Sequence, residues 1–529
     1  MSDRKGGKII DPKSIDFLDA QGKESQRRRE EAAEKRRKDE EAKKMTEDAG
    51  KDSQQRRGKV LILFFFICEK MAPYDFIAEQ DILDERKAFA RKLVDATDAI
   101  VLFVDEELEW NGTAKHVGYL KGSFNFSLRV RRGESGEHVI VRFPVPGNIY
   151  GPWRDEKVQN EVMAMKFIRQ HTSIPVPIVR SWGFTEKSPE QLGPFIIMDF
   201  IEGDDLSDLL QQPTENTKDA IVLDPDMDDT KLDIIYEQIA GFMLELSRLS
   251  FARIGAISQD ATSGQWAVTG RPLTYDMNEV VTLGGCPADQ FATLTSFDRA
   301  SDFFSGRAES FKAHFEAQRN IAGDDQDLVW DQLIARRCFA ELIPTHGAED
   351  DEGPFKLFCD DLRPTNMLVD PKTLQITAVL DFEFTNAMPA QFANDPPWWL
   401  LLKQPAVWVE AGEVQEFLDL FIPRKEQFLR AMERVEARSS PAAAGEVAIS
   451  KRMRDSWQSG RFWFNMASRS SFDMSEIFWA TLYREDLHNT VLETITPAEK
   501  EWLLRRKMDQ FDAYRRERES DERFAEQHP

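Results

Sequence analysis

The sequence predicts an α+β chain in which a small antiparallel β unit precedes a larger, mainly helical one, with a charged arm in front. Three observations carry this expectation. Apolar and polar residues alternate over Phe124 to Val130 and His138 to Phe143, on either side of the turn Gly133-Glu134-Ser135-Gly136, and a period of two around a turn marks a β-hairpin. From about 230 to 345, and again from about 400 onward, apolar residues recur instead at helical spacing. The first 58 residues are dominated by charge.

Within that arm, residues 1–58, Glu31 stands four before Lys35, Glu34 before Lys38, Asp39 before Lys43 and Glu40 before Lys44. Such pairs contribute roughly 0.2–0.5 kcal/mol each, enough to bias a solvated helix but not to build a core. The runs Arg27 to Arg29 and Lys35 to Lys38 also read as a two-part nuclear import signal, against which the interleaved acids count. Residues 59–117 form an extension without an obvious partner. Its apolar run "VLILFFFIC" (Val60 to Cys68) is far shorter than the roughly 20 residues a membrane helix needs. The abrupt Phe-rich run also has the texture of a translated intron, and an acidic helix-like segment, Ile82 to Val104, follows it.

Residues 118–203 hold the hairpin, then a helix in which Val158, Val162, Met165 and Ile168 share one face, stopped by "TSIPVP". A buried strand, "PFIIMDF", leaves into a loop at Gly203. Residues 204–485 are the helical unit and 486–529 a helical tail.

At 529 residues and 41% hydrophobic content the chain can bury a sizeable core. A net charge of −24 argues against nucleic-acid partners, whose phosphates it repels, and favours a cationic small ligand. Cys68, Cys286, Cys338 and Cys359 show no C-x-x-C or metal-ligand spacing, which predicts reduced thiols and a cytoplasmic setting. The polar N-terminus has no apolar leader-like run, no membrane segment is expected, and no pattern fixes an oligomeric state.

The chemistry concentrates in two stretches, "FCDDLRPTNMLVD" (Phe358 to Asp370) and "ITAVLDFEF" (Ile376 to Phe384). Carboxylates and an amide framed by short apolar strands suit a hard divalent cation and a proton acceptor. The order hairpin, helix, strand, helical region, D-L-x-x-x-N loop and D-F-x strand end resembles the kinase-like phosphotransferases, and among them the aminoglycoside phosphotransferase and choline kinase family. The resemblance covers roughly Gly118 to Arg484. It is nearest to the fungal aminoglycoside-phosphotransferase-like proteins, which carry stretches like "CDDLRPTNMLVD", "VLDFEFT", "DPPWWLLL" and "FARIGAIS".

The resemblance implies a two-lobed protein-kinase-like fold with a five-stranded type of small lobe, ATP and Mg2+ as cofactors, and transfer of the γ-phosphoryl group to a hydroxyl of a small molecule. It places Asp361 as the catalytic base, and Asn366 and Asp381 on the metal. Gly122 to Ser127 become a phosphate-covering loop with Ser123 and Asn125 near the nucleotide, Arg142 the phosphate-contacting cation and Glu161 its helix partner. Met198, Asp199 and Ile201 fall in the segment whose backbone binds adenine. Plainer readings stand beside these: turn capping for the acids and Asn366, an exposed helix side for Glu161, and core packing rather than an acceptor wall for the aromatics of Trp457 to Trp479. Asp395 either serves the loop after the metal site or caps a helix.

Three departures matter. Cys359 replaces the family's histidine, Asp360 its glycine, and Arg142 its lysine, for which a guanidinium is no equivalent. They carry the alternative of a catalytically impaired pseudokinase serving as nucleotide-binding or scaffold protein. Retention of Asp361, Asn366 and Asp381 together speaks against it. "DPPWWLL" follows Asp381 within about fifteen residues, leaving no room for a protein kinase's activation segment.

Overall fold

The computed structural model describes residues 9–10, 74–213, 221–290, 295–439 and 447–527. The charged arm apart from Ile9–Ile10, and the Phe-rich run with its intron-like texture, lie outside the described residues.

The period-two alternation becomes a five-stranded antiparallel sheet: β1 (Ala114–Lys121), β2 (Asn125–Arg132), β3 (His138–Pro144), β4 (Val179–Gly183) and β5 (Phe195–Asp199). Their order is β1-β2-β3-β5-β4, and Ile9–Ile10 adds a short strand at the β1 edge. The strand from Ala114, four residues before the expected start of this unit, had no alternation to reveal it. The register sets Ser127 opposite Arg142 and Ile140 opposite Met198, which fixes the floor of the cleft described below.

The extension supplies what the sheet needs on its outer face. Helices α1 (Phe76–Asp95) and α2 (Thr97–Glu107) put Leu93, Ile100 and Val104, all out of solvent, against Leu128, Val130, Val141 and Ile197. The single helix-like run expected over Ile82 to Val104 is broken at Ala96, where the Thr97 hydroxyl donates to the Val94 carbonyl. The start of α1 rests on the far lobe: the Asp75 N–H donates to Leu283 O at 2.8 Å, and the Phe76 N–H to the Tyr514 hydroxyl at 2.9 Å. The extension is therefore a strap between the helical tail and the sheet.

Helix α3 (Arg154–His171) covers the inner face, with Val158, Val162, Met165 and Ile168 buried in a core that continues into the large lobe. There α4 (Asp229–Ser247), α5 (Tyr275–Thr282), α6 (Ala300–Ala317), α7 (Gln326–His346), α8 (Val414–Arg438), α9 (Ile449–Gln458), α10 (Arg461–Arg469) and α11 (Pro497–Ser520) surround four short strands. These are β6 (Phe355–Phe358), β7 (Met367–Val369), β8 (Ile376–Val379) and β9 (Asn386–Met388). β7 pairs with β8, and β6 with β9. The aromatics proposed as an acceptor wall belong to the core: Phe462, Phe464 and Phe478 are buried, Trp457 stacks on Phe421 at 5.2 Å, and Phe464 on Phe339 at 4.9 Å. No helix among the described residues is long and apolar enough to cross a membrane.

Candidate active site

Between the sheet and the large lobe lies a cleft of about 530 Å³. Ser123, Asn125, Arg142, Met198, Asp199 and Ile201 line it from the small lobe, and Asp361, Asn366 and Asp381 from the large one. Of the base, metal and nucleotide residues that the resemblance implies, only Glu161 does not line it, because it stands behind Arg142.

Asp361 and Asn366 sit on the loop joining β6 to β7. The Asn366 amide Nδ2 donates to Asp361 Oδ2 at 2.7 Å and to the Asp361 carbonyl at 2.9 Å, and Arg363 Nε is 2.6 Å from Asp361 Oδ1. Burial pushes the Asp361 carboxyl above the ordinary aspartate value; Arg363 works against this and Asp381 with it. With its nitrogen turned to Asp361, Asn366 keeps its carbonyl oxygen for another partner.

Asp381 follows β8 at φ +63°, a left-handed conformation that Asp tolerates better than most side chains and that turns it out of the strand. The Leu380 N–H donates to the Asn366 main-chain carbonyl at 2.8 Å, which ties the two loops together. Cys359, in the place of the histidine, holds its buried thiol 3.9 Å from the Asp381 carbonyl oxygen, with burial pushing it up to about 12, so it acts as a weak neutral donor. Asp360, in the place of the glycine, is paired with Arg469 of α10 and anchors the loop to that helix.

On the small-lobe side Arg142 reaches three carboxylates. Nη1 donates to Glu161 Oε1 at 2.9 Å, and Nη2 to Asp381 Oδ1 at 2.9 Å and Glu383 Oε1 at 3.1 Å. Lys157, one helical turn before Glu161 on α3, donates to Glu161 Oε2 at 2.9 Å and Asn125 Oδ1 at 3.1 Å, and pairs with Glu383. Lys157 and Glu161 are each 1% exposed, which removes the exposed-helix reading of Glu161. Burial opposes ionisation throughout this group. At Asp381 the cations prevail and hold the carboxyl below its ordinary range; at Glu383 burial and the Asp381 charge push upward, against Lys157 and Arg142.

Sequence reasoning missed Lys157 and Glu383. The available signals were a lysine on the apolar face of α3, beside Val158 and Glu161, and a glutamate ending D-F-E.

The loop between β1 and β2 is folded down. The Gly122 N–H donates to the Asn125 carbonyl at 3.0 Å, Asn148 holds the Ser123 carbonyl, and Phe124 packs edge-on against Tyr275 of α5 at 5.4 Å. Apolar walls come from Ile140, Met198, Ile201, Leu368 and Leu380. Asp199 is paired through Oδ1, to which Arg180 Nε donates at 2.6 Å. Asp395 does not line the cleft and, rather than capping a helix, accepts from Ser456 and from Asn465 at 2.9 Å, which ties the segment after the metal site to α9 and α10.

Among the described residues no three His, Cys, Asp or Glu side chains converge on a closed metal site. Asp381 and the Asn366 carbonyl oxygen form an open set of hard oxygen donors, the kind that suits a magnesium ion shared with phosphates.

A small twisted sheet with one helix beneath it, a cleft, and a helical lobe carrying the acidic loops make up the protein-kinase-like fold. A family model described as "Phosphotransferase enzyme family" matches residues 120–395, over half of the chain, and the chain belongs to that family. A subtelomeric hrmA-associated cluster protein of Aspergillus fumigatus is 33% identical over 103 residues, 19% of this chain and 19% of that protein, so the chain matches about a fifth of this relative's length. Among solved structures, aminoglycoside phosphotransferase APH(4)-Ia is 12% identical, with 79% of this chain and 99% of that one covered and a TM-score of 0.38. Choline kinase from Cryptosporidium parvum is 13% identical, with 77% and 99% covered and a TM-score of 0.37.

Proposed function

We propose that this protein transfers the γ-phosphoryl group of ATP to a hydroxyl of a small molecule. The carrying observation is the convergence of Asp361, Asn366, Asp381 and Arg142 on one cleft from three separate stretches of chain. The acceptor oxygen forms a bond to the γ-phosphorus while the bond from that phosphorus to the β-phosphate oxygen breaks, and ADP leaves. The acceptor's proton passes to the Asp361 carboxylate, whose raised affinity for protons suits a base. Asn366, through its carbonyl oxygen, and Asp381, through the oxygen not on Arg142, would hold magnesium, which when bound neutralises phosphate charge. Arg142 faces the phosphates as a fixed cation, and the net charge of −24 favours a cationic acceptor.

Calorimetric titration with a non-hydrolysable ATP analogue, with and without magnesium, tests the nucleotide site. Magnesium-dependent binding is expected, weakened about tenfold or more in Asp381→Ala; absence of binding in both conditions overturns the reading. A second reading, a nucleotide-binding scaffold, has one observation behind it: Arg142 donates to Asp381 itself, so a side-chain cation already sits on the metal aspartate. Phosphoryl transfer to any of a panel of hydroxyl amines, lost in Asp361→Asn, excludes that reading.

A further inference from the structure

Nothing in the motif pattern assigns Lys157 or Glu383, yet they are among the most deeply buried charges beside the cleft. Lys157 has three N–H donors and no acceptor, and Glu161, Glu383 and Asn125 use all three. It does not line the cleft and has no donor left for a ligand. Its role is therefore exerted through its partners.

Glu383 is the large-lobe member of the group. It meets three small-lobe side chains: Arg142 at 3.1 Å, Lys157, and the Asn125 amide at 3.2 Å from each carboxylate oxygen. Two cations thus face three carboxylates, and of these Asp381 alone is substantially open, at 27% exposure. Arg142 is held on its inner side through Nη1 by Glu161 and through one Nη2 N–H by Glu383. The other Nη2 N–H is donated to Asp381 Oδ1, and Arg142 and Asp381 both line the cleft.

We infer that Lys157 and Glu383 are positioning residues that hold the Arg142 guanidinium across the two lobes, with its Asp381-side edge toward the phosphates of a bound nucleotide. The inference rests on the nucleotide reading above. It also accounts for arginine at this position: an ammonium cannot span three separate carboxylates with a planar fork, and a guanidinium can. The second cation that an arginine brace requires to balance Glu383 comes from the helix, at Lys157.

The test compares two probes on the full chain: AMP-PNP with magnesium, which carries the outer phosphates, and AMP, which does not. Affinities are measured by calorimetry for the wild type, Lys157→Met, Glu383→Gln and the charge-balanced double variant, with thermal melting to confirm a folded state. The expected result is a fall of about tenfold or more in AMP-PNP affinity in each variant, with AMP affinity within about twofold of wild type. The double variant, which leaves no unpaired partner between the two sites, is expected to melt nearer the wild type than Lys157→Met and still to bind AMP-PNP weakly. Equal losses for both probes, or wild-type affinity for AMP-PNP in a folded double variant, overturn the inference and leave a purely structural brace. A wild-type protein that binds neither probe overturns the nucleotide reading itself, and the inference with it.

Discussion

On the large-lobe side of the cleft, Asp361 and Asn366 are five residues apart, bonded to each other, and the Asp361 side chain is 39% exposed. On the small-lobe side, Arg142 reaches Glu383 across 241 residues of sequence, and Lys157 and Glu161 are almost wholly out of solvent. The first arrangement is local and half-buried, with its acid open on the cleft side. The second is assembled by the fold and dry, so each charge depends on the others. The difference separates chemistry from architecture: a substitution on one side should alter rate, and on the other stability.

The largest effect expected is on rate. Asp361→Asn should keep the shape of the loop, since an amide can still meet Asn366, while removing the proposed proton acceptor. Phosphoryl transfer should fall about 10²–10⁴-fold, equivalent to about 3–5 kcal/mol, with a melting temperature close to wild type. Steady-state turnover and thermal melting check both halves. A variant that melts much earlier would break the contrast between the two sides.

Glu161→Gln should do the reverse. It removes one carboxylate from beneath Arg142 and Lys157 at a site 1% exposed, leaving the two cations under-compensated. Breaking a buried pair in this way costs about 3–5 kcal/mol, read as a shift in urea midpoint. A midpoint within experimental scatter of wild type would mean that the brace is weaker than its geometry implies.

The same contrast explains what could be read from the sequence. Asp361, Asn366 and Asp381 sit in short runs whose order and spacing are visible without a fold, and the hairpin of β2 and β3 showed itself by alternation. Lys157 was hidden because a lysine among Val158 and Val162 looks like the polar edge of an amphipathic helix until the sheet is laid over it. Glu383 was hidden because its partners Asn125, Arg142 and Lys157 lie in a different lobe. The extension could not be placed because its apolar positions only make sense against the outer face of a sheet formed later in the chain. Non-local contacts leave no periodic trace in either partner.

Asp395 sharpens the comparison from a third direction. It lies in the large lobe and is half-buried, but its hydrogen-bond donors, Ser456 and Asn465, are neutral, and Arg469 comes last among the influences on its charge. Burial therefore pushes its carboxyl up, to about 7, where the brace carboxylate Asp381 is held down by cations. A group whose folded value lies above its unfolded one binds protons more tightly in the folded state. Its stabilising contribution is complete below about pH 4 and is lost as the pH rises to about 7, at up to about 1.4 kcal/mol per pH unit. Asp395→Asn cannot titrate and can still bond both partners. Relative to wild type, this variant should be about equal in stability near pH 4 and gain on it as the pH rises to about 7, with no further change at higher pH. Melting both proteins across that range measures the difference directly. A flat difference from pH 5 to 8 would show that Asp395 is ionised throughout, and that neutral donors alone can do for a buried carboxylate what Arg142 and Lys157 do in the brace.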